Sequence, residues 1–143
     1  MSELPDRLKL IIEDFALCEG REKIELLIEY AEKLAELPER LSNNHDSMDF
    51  VEECMTPVFV LAEKENDGLV FYFDVPPESP TVRGFAAILA DGLNGNSPEK
   101  ILSIPNDFYQ EMGLDKVLSM QRLNGIRAIL AHMKRLATET LAQ

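Results

Sequence analysis

One stretch of the sequence constrains the fold more than any other. Val58-Phe59-Val60-Leu61 and Leu69-Val70-Phe71-Tyr72-Phe73 are β-branched and aromatic runs, with Asn66-Asp67-Gly68 between them. Runs of this composition, bounded by turn residues, read as strands. Asp-Gly between them is a strong hairpin signal, because both central residues of a type I′ turn need positive φ. A shorter strand around Met48 to Val51 can pair with the first run and complete a three-stranded meander. On both sides of this block the apolar spacing is helical. Strands in one block with helices around it predict an α+β fold: a three-stranded antiparallel meander packed against an N-terminal helical hairpin and C-terminal helices.

The helical signals are local and explicit. Leu8, Ile11, Ile12 and Phe15 fall on one helix face. Gly20 breaks that helix, and a second follows from about Arg21 to Glu36, with Ile24, Leu27, Ile28, Ala31 and Leu34 as its buried stripe and Pro38 as its stop. Leu41 to Asp49 is polar and reads as loop. Ser79-Pro80 has the form of an N-cap followed by the first helical residue. The helix it opens carries Val82, Phe85, Leu89 and Leu93 and stops at Gly95. Ser97-Pro98-Glu99 opens a short helix, Pro105 to Met112 gives another closed by Gly113, and Ser119 starts a long last helix. Its stripe is Leu123, Ile126, Leu130, Met133, Ala137 and Leu141. No repeat or linker interrupts the 143 residues, so residues 1–143 are expected to form a single domain.

Charge narrows the function classes. Fourteen basic residues stand against 26 acidic ones, a net charge of −12. Such a surface repels phosphate backbones and anionic lipid, so no nucleic-acid or membrane partner is expected. No apolar run approaches the roughly 18 residues of a membrane span. Met1-Ser2-Glu3-Leu4-Pro5-Asp6 lacks the basic and apolar regions of a secretory signal, and a cytoplasmic location is expected. Two cysteines, Cys18 and Cys54, are too few for a disulfide scaffold.

The usual catalytic patterns are missing: there is no phosphate-cradling glycine loop, no HExxH and no GxSxG. His45 and His132 lie far apart, neither with a second ligand at metal-binding spacing, so no metal site is expected. His45 reads as a loop residue and His132 as a helix-surface residue. The pairs Glu52-Glu53, Glu63-Glu65 and Asp14-Glu19 read as solvated faces. Cys18, three residues after Phe15, reads as a half-buried packing residue. Cys54 lies between two strands, where a tight connection can hold a side chain out at a loop tip; it reads equally as a buried packing residue.

Several segments, in order, carry a resemblance. Phe50-Val51-Glu52-Glu53-Cys54-Met55-Thr56-Pro57-Val58-Phe59-Val60 resembles the cysteine segment of the SufE family, the sulfur-acceptor proteins of iron–sulfur cluster assembly. Pro80-Thr81-Val82-Arg83-Gly84-Phe85 resembles that family's V-(K/R)-G helix. Ser97-Pro98-Glu99-Lys100-Ile101-Leu102 resembles its next helical step, and Leu118-Ser119-Met120-Gln121-Arg122-Leu123-Asn124-Gly125 resembles the start of its last helix. The sequence departs from the pattern where Glu53 replaces a glycine, Thr56 a serine and Phe59 a tryptophan, and where Pro57 is added.

The resemblance implies a sulfur carrier that takes a persulfide sulfur from a SufS-like cysteine desulfurase onto Cys54, stimulates desulfuration, and passes sulfur toward a SufBCD-like cluster scaffold. It implies that Glu78, Arg83 and Arg122 belong to the docking face. It implies no cofactor on this chain, since the pyridoxal phosphate and the cluster belong to the partners. Such a chain is a sulfur-transfer protein rather than a stand-alone enzyme. The alternatives are a non-catalytic acidic interaction module of the same fold in which Cys54 only packs, and an adaptor that binds a basic partner through charge alone.

Two local readings follow from the residues themselves. Arg122 near the start of the last helix opposes the helix dipole, which suggests a second use such as pairing with Glu53, Asp115 or a partner. Asp49, Glu52 and Glu53 surround Cys54 with negative charge, and Phe50, Val51, Met55 and Val58 add apolar surroundings. Both raise a thiol's pKa, so a poor nucleophile is expected until a partner withdraws the loop.

Overall fold

The computed structural model describes residues 4–142; Met1, Ser2 and Glu3, where the reading of the N-terminus begins, lie outside them. The chain runs through α1 (Asp6–Leu17), α2 (Arg21–Lys33), a one-turn α3 (Glu39–Ser42), β1 (Asp49–Phe50), β2 (Phe59–Glu65), β3 (Gly68–Asp74), α4 (Pro80–Leu93), a short α5 (Pro98–Leu102) and α6 (Met120–Leu141). The sheet is antiparallel in the order β1-β2-β3, with Asp49 opposite Val60 and Val60 opposite Phe73. This is the expected α+β meander.

The strand runs look uniformly apolar in sequence but alternate in space. Leu69, Phe71 and Phe73 are buried, whereas Val70 and Tyr72 are only half-buried. Period-two alternation follows from the pleat, and it marks a sheet with one face on the core. The turn differs from the expectation. Its two residues are Asn66 and Asp67, and Asn66 alone among the described non-glycine residues has positive φ, 58°. Gly68 opens β3 for a different reason: a Cβ there would lie 2.3 Å from the carbonyl oxygen of Gly95. The segment after α4 thereby pairs with the outer edge of β3, with Leu69 N–H donating to Asn96 O and Gly95 N–H to Leu69 O, both at 2.8 Å. That pairing covers an edge that would otherwise be open to another strand.

Helix α4 is central. Thr81, Val82, Gly84 to Leu89, Gly92 and Leu93 are all buried, so it is apolar nearly all round. Both α1 and α2 pack against α4 more than against each other, so the N-terminal helical pair is held together through α4. Gly84 permits the α2 contact, since a Cβ there would meet Leu27 O at 2.1 Å. On α2 the buried set is Lys23, Leu27, Tyr30 and Ala31, while Ile28 is exposed. The Lys23 ammonium donates to Phe15 O at 2.5 Å and Met112 O at 2.9 Å, tying the end of α1 to the segment before α6. Residues 105–112 hold only a 3-10 turn, Phe108–Gln110, and the polar stretch 41–49 holds the end of α3 and a second such turn, His45–Ser47. His45 stacks on Phe59 with ring centroids 3.9 Å apart and bonds Asp74 Oδ2 at 2.6 Å, so it pins this stretch to the sheet.

Candidate functional site

The connection between β1 and β2 carries Cys54. Val51 N–H donates to Val58 O at 2.9 Å and closes its base, leaving residues 52–57 as the loop. The loop turns inward rather than presenting the thiol at a tip. Cys54 is 8% exposed, whereas its neighbour Met55 is 77% exposed. Inward packing is possible because the facing position on α6 is Gly125; a Cβ there would lie 3.0 Å from Cys54 Sγ.

The buried thiol borders a cavity of about 360 Å³. Its walls include Met55 and Thr56 from the loop, Glu78, Ser79 and Pro80 at the start of α4, and Gln121 and Arg122 at the start of α6. Two long helices thus begin at one cavity. Their dipoles favour negative charge there. Ser79 stands at the N-cap position of α4, but its hydroxyl does not cap the helix. It pairs with Thr56 Oγ1 at 2.6 Å instead and ties the cysteine loop to α4. Ser119, by contrast, caps α6 as expected, accepting from Arg122 N–H at 3.3 Å.

Burial pushes the Cys54 thiol above its ordinary pKa; the Thr56 backbone N–H opposes this, and the Glu53 charge adds to it. The direction agrees with the sequence expectation, but burial outweighs the carboxylates that the sequence put first. A buried thiol of this kind is weakly nucleophilic and slow to oxidise. An anionic sulfur moved outward into the cavity would meet the two helix N-termini.

Glu78 and Arg122 both line this cavity, and Glu78 is exposed. Arg122 donates from Nη1 to the buried Thr81 Oγ1 at 2.5 Å and so bridges α6 to α4; it forms no ion pair with Glu53 or Asp115. Arg83 lies apart from the cavity. Its guanidinium donates to Ala31 O at 3.2 Å and Val75 O at 2.6 Å, joining α4 to the ends of α2 and β3. Cys18 is half-buried and far in the chain from Cys54.

His132 is the residue that sequence reasoning missed. It is not a free helix-surface residue, and Glu53 is not merely solvated. His132 Nε2 bonds Glu53 Oε1 at 3.0 Å, and Nδ1 bonds Asp49 Oδ2, whose other oxygen binds Arg135. Burial would lower the His132 pKa, but the hydrogen bonds and charges of Asp49 and Glu53 outweigh it and raise it. Burial would likewise raise the Asp49 carboxyl, but His132 and Arg135 hold it below its usual range. Glu53 is held low by its own backbone N–H and then by His132. The signal was present in the spacing: His132 stands seven residues after Gly125, on the helix face that meets the cysteine loop.

Fold and loop together define an α+β protein organised around one sheltered thiol at a cavity. The chain belongs to the SufE family: the model of that family, described as an Fe–S metabolism associated domain, matches residues 9–137. It is 41% identical over 135 residues to an uncharacterized SufE-like protein of Mycobacterium tuberculosis, covering 94% of this chain and 93% of that one. It is 28% identical over 112 residues to a cysteine desulfuration protein SufE of Plasmodium vivax, covering 76% of this chain and 43% of that one. The solution structure of a hypothetical protein from Thermus thermophilus superposes with a TM-score of 0.86 at 35% identity, covering 99% of this chain and all of the other. No described helix is long and apolar enough to cross a membrane.

Proposed function

We propose that this protein accepts a sulfane sulfur on Cys54 from a cysteine desulfurase, stimulates that enzyme, and carries the sulfur toward cluster assembly. The Cys54 thiolate attacks the terminal sulfur of the donor persulfide. A new bond forms from Cys54 Sγ to that sulfur, the donor S–S bond breaks, and the donor cysteine leaves as a thiolate. The hydrogen on the transferred sulfur stays with it, so nothing is oxidised or reduced overall. The chain needs only an extractable thiol, shelter for the product and a docking face, with no cofactor of its own.

The observation that carries this reading is the thiol at the wall of a cavity that two helices open upon, in a chain of the SufE family. The name cysteine desulfuration protein, borne by the Plasmodium vivax relative, supports a cysteine desulfurase as donor, and we take that donor to be of the SufS type. A SufBCD-like scaffold is the corresponding acceptor. Glu78, Arg83 and Arg122 contribute to the docking face, Glu78 and Arg122 directly at the cavity mouth. Residues 1–143 act as one domain in the cytoplasm.

The deep burial of Cys54 favours a second reading, a non-catalytic acidic interaction module in which the cysteine only packs. Incubation with desulfurase and cysteine, followed by mass spectrometry of the intact protein, separates them. The expected result is a gain of about 32 Da, one sulfur atom, in the parent and in Cys18→Ser and none in Cys54→Ser. Retention of the adduct by Cys54→Ser, or its absence from the parent, overturns the carrier reading.

A further inference from the structure

The N-terminal side of the Cys54 loop is fastened at two points to one side chain. Asp49 precedes the loop in β1 and Glu53 is the residue before the cysteine, and the imidazole of His132 bonds both. A ring with a carboxylate on each nitrogen donates from both, which is the imidazolium form. The two halves differ in exposure. Asp49 is 21% exposed and also held by Arg135, whereas Glu53 is 58% exposed. Within the loop the backbone adds the Thr56 N–H on the Cys54 thiol and a long Cys54 N–H bond to Val51 O at 3.3 Å. The other side-chain tie is the Thr56–Ser79 hydroxyl pair.

We propose that Glu53 and His132 form a latch that sets how often the Cys54 thiol is exposed, with Asp49 as its fixed post and Glu53 as its releasable half. This goes beyond sulfur acceptance, because it governs access to the thiol whatever the thiol carries. Both act as positioning residues through the loop and neither needs to touch the sulfur. A cation presented by a docked partner competes with His132 for Glu53, so release couples to the approach of a basic surface.

The groups that face His132 are Asp49 from β1, Glu53 from the loop and Arg135 from its own helix. The latch is therefore fully charged below the ordinary histidine pKa and weakens as pH rises through the raised value. On the acid side it lasts until the lowered Glu53 protonates.

The test uses the full chain with Cys18→Ser, so that only Cys54 reacts. Glu53→Gln is expected to raise the rate of iodoacetamide alkylation about two- to five-fold, the scale of a partly exposed ion pair. His132→Ala is expected to raise it at least as much, and Glu53→Gln added to His132→Ala to raise it by clearly less than in the parent, the remainder being the lost Glu53 charge on the thiol. Arg135 still holds Asp49 in that variant, and Glu53→Gln alone carries the test if it does not fold. Hydrogen exchange supplies a readout independent of thiol ionisation. Protection of the Cys54 amide, normalised to intrinsic exchange, should fall with rising pH in the parent and stay level in His132→Ala. An equal Glu53→Gln effect with and without His132 would mean that Glu53 acts directly on the thiol, and overturns the latch. Unchanged rates and protection in Glu53→Gln overturn it too. Sulfur acceptance is read separately by mass, so failure of the carrier reading leaves this result distinguishable.

Discussion

Replacing Gly125 by alanine probes the contact that buries Cys54. The added Cβ would stand 3.0 Å from Cys54 Sγ, while the Cα and Cβ of Cys54 remain at ordinary distances of 3.7 and 3.8 Å. The sulfur alone is crowded, by about 0.5–1 Å relative to a normal contact. Two effects of opposite sign compete. Alanine for glycine inside a helix stabilises by about 1 kcal/mol. Overpacking a tight contact costs about 1–3 kcal/mol. In the parent, Gly125→Ala should therefore range from neutral to about 2 kcal/mol destabilising by this sum. In a Cys54→Ala background the clash is gone and the same change should stabilise by about 1 kcal/mol, which for a chain of this size raises Tm by about 3 °C. Urea unfolding of the four proteins yields the coupling directly, and the expected value is about 1–3 kcal/mol. The crowded sulfur is pushed toward the cavity, so Cys54 in Gly125→Ala should also alkylate faster than in the parent. Equal stability shifts in the two backgrounds would refute the reasoning, because the thiol would then not rest on Gly125.

Gly84→Ala should destabilise the protein by about 3 kcal/mol or more, since its Cβ would meet backbone at Leu27 O, which moves only if α2 and α4 separate; thermal unfolding measures this. Arg122→Ala removes a charge-assisted hydrogen bond and leaves the buried Thr81 hydroxyl without it, so it should destabilise by about 1–3 kcal/mol while reducing stimulation of the desulfurase; undiminished stimulation by the folded variant would count against a docking role. Stability should also depend on pH through the Asp49–His132 pair. The raised His132 contributes below its ordinary pKa and loses that contribution as pH rises through the raised one, whereas the lowered Asp49 contributes above its ordinary pKa and loses it as pH falls through the lowered one. Urea midpoints should accordingly fall on the alkaline side in the parent and fall less in His132→Ala.

The strand block, the long helices and the breaks at Gly20 and after Leu93 were legible because each depends on neighbours within a few residues: apolar period, proline position and turn residues. So was the family, through the order of segments shared with SufE proteins. Local signals failed where two chemistries compete for one residue. Ser79 has the form of a cap, yet its hydroxyl serves Thr56, which lies 23 residues earlier in the chain. Gly68 looked like a turn glycine, yet what requires it is the Gly95 backbone against β3. Arg83 and Arg122 look alike as cations beside family motifs, but one fastens α4 to carbonyls of α2 and of Val75 just after β3 while the other stands at the cavity. The inward turn of the Cys54 loop has the same origin. Its sequence is compatible with an exposed tip or a buried residue, and the choice depends on Gly125 and His132, which lie on a helix that begins 66 residues after the cysteine. Such contacts form between segments whose own periodicity records only which face is apolar, so their partners are set by packing of the assembled core.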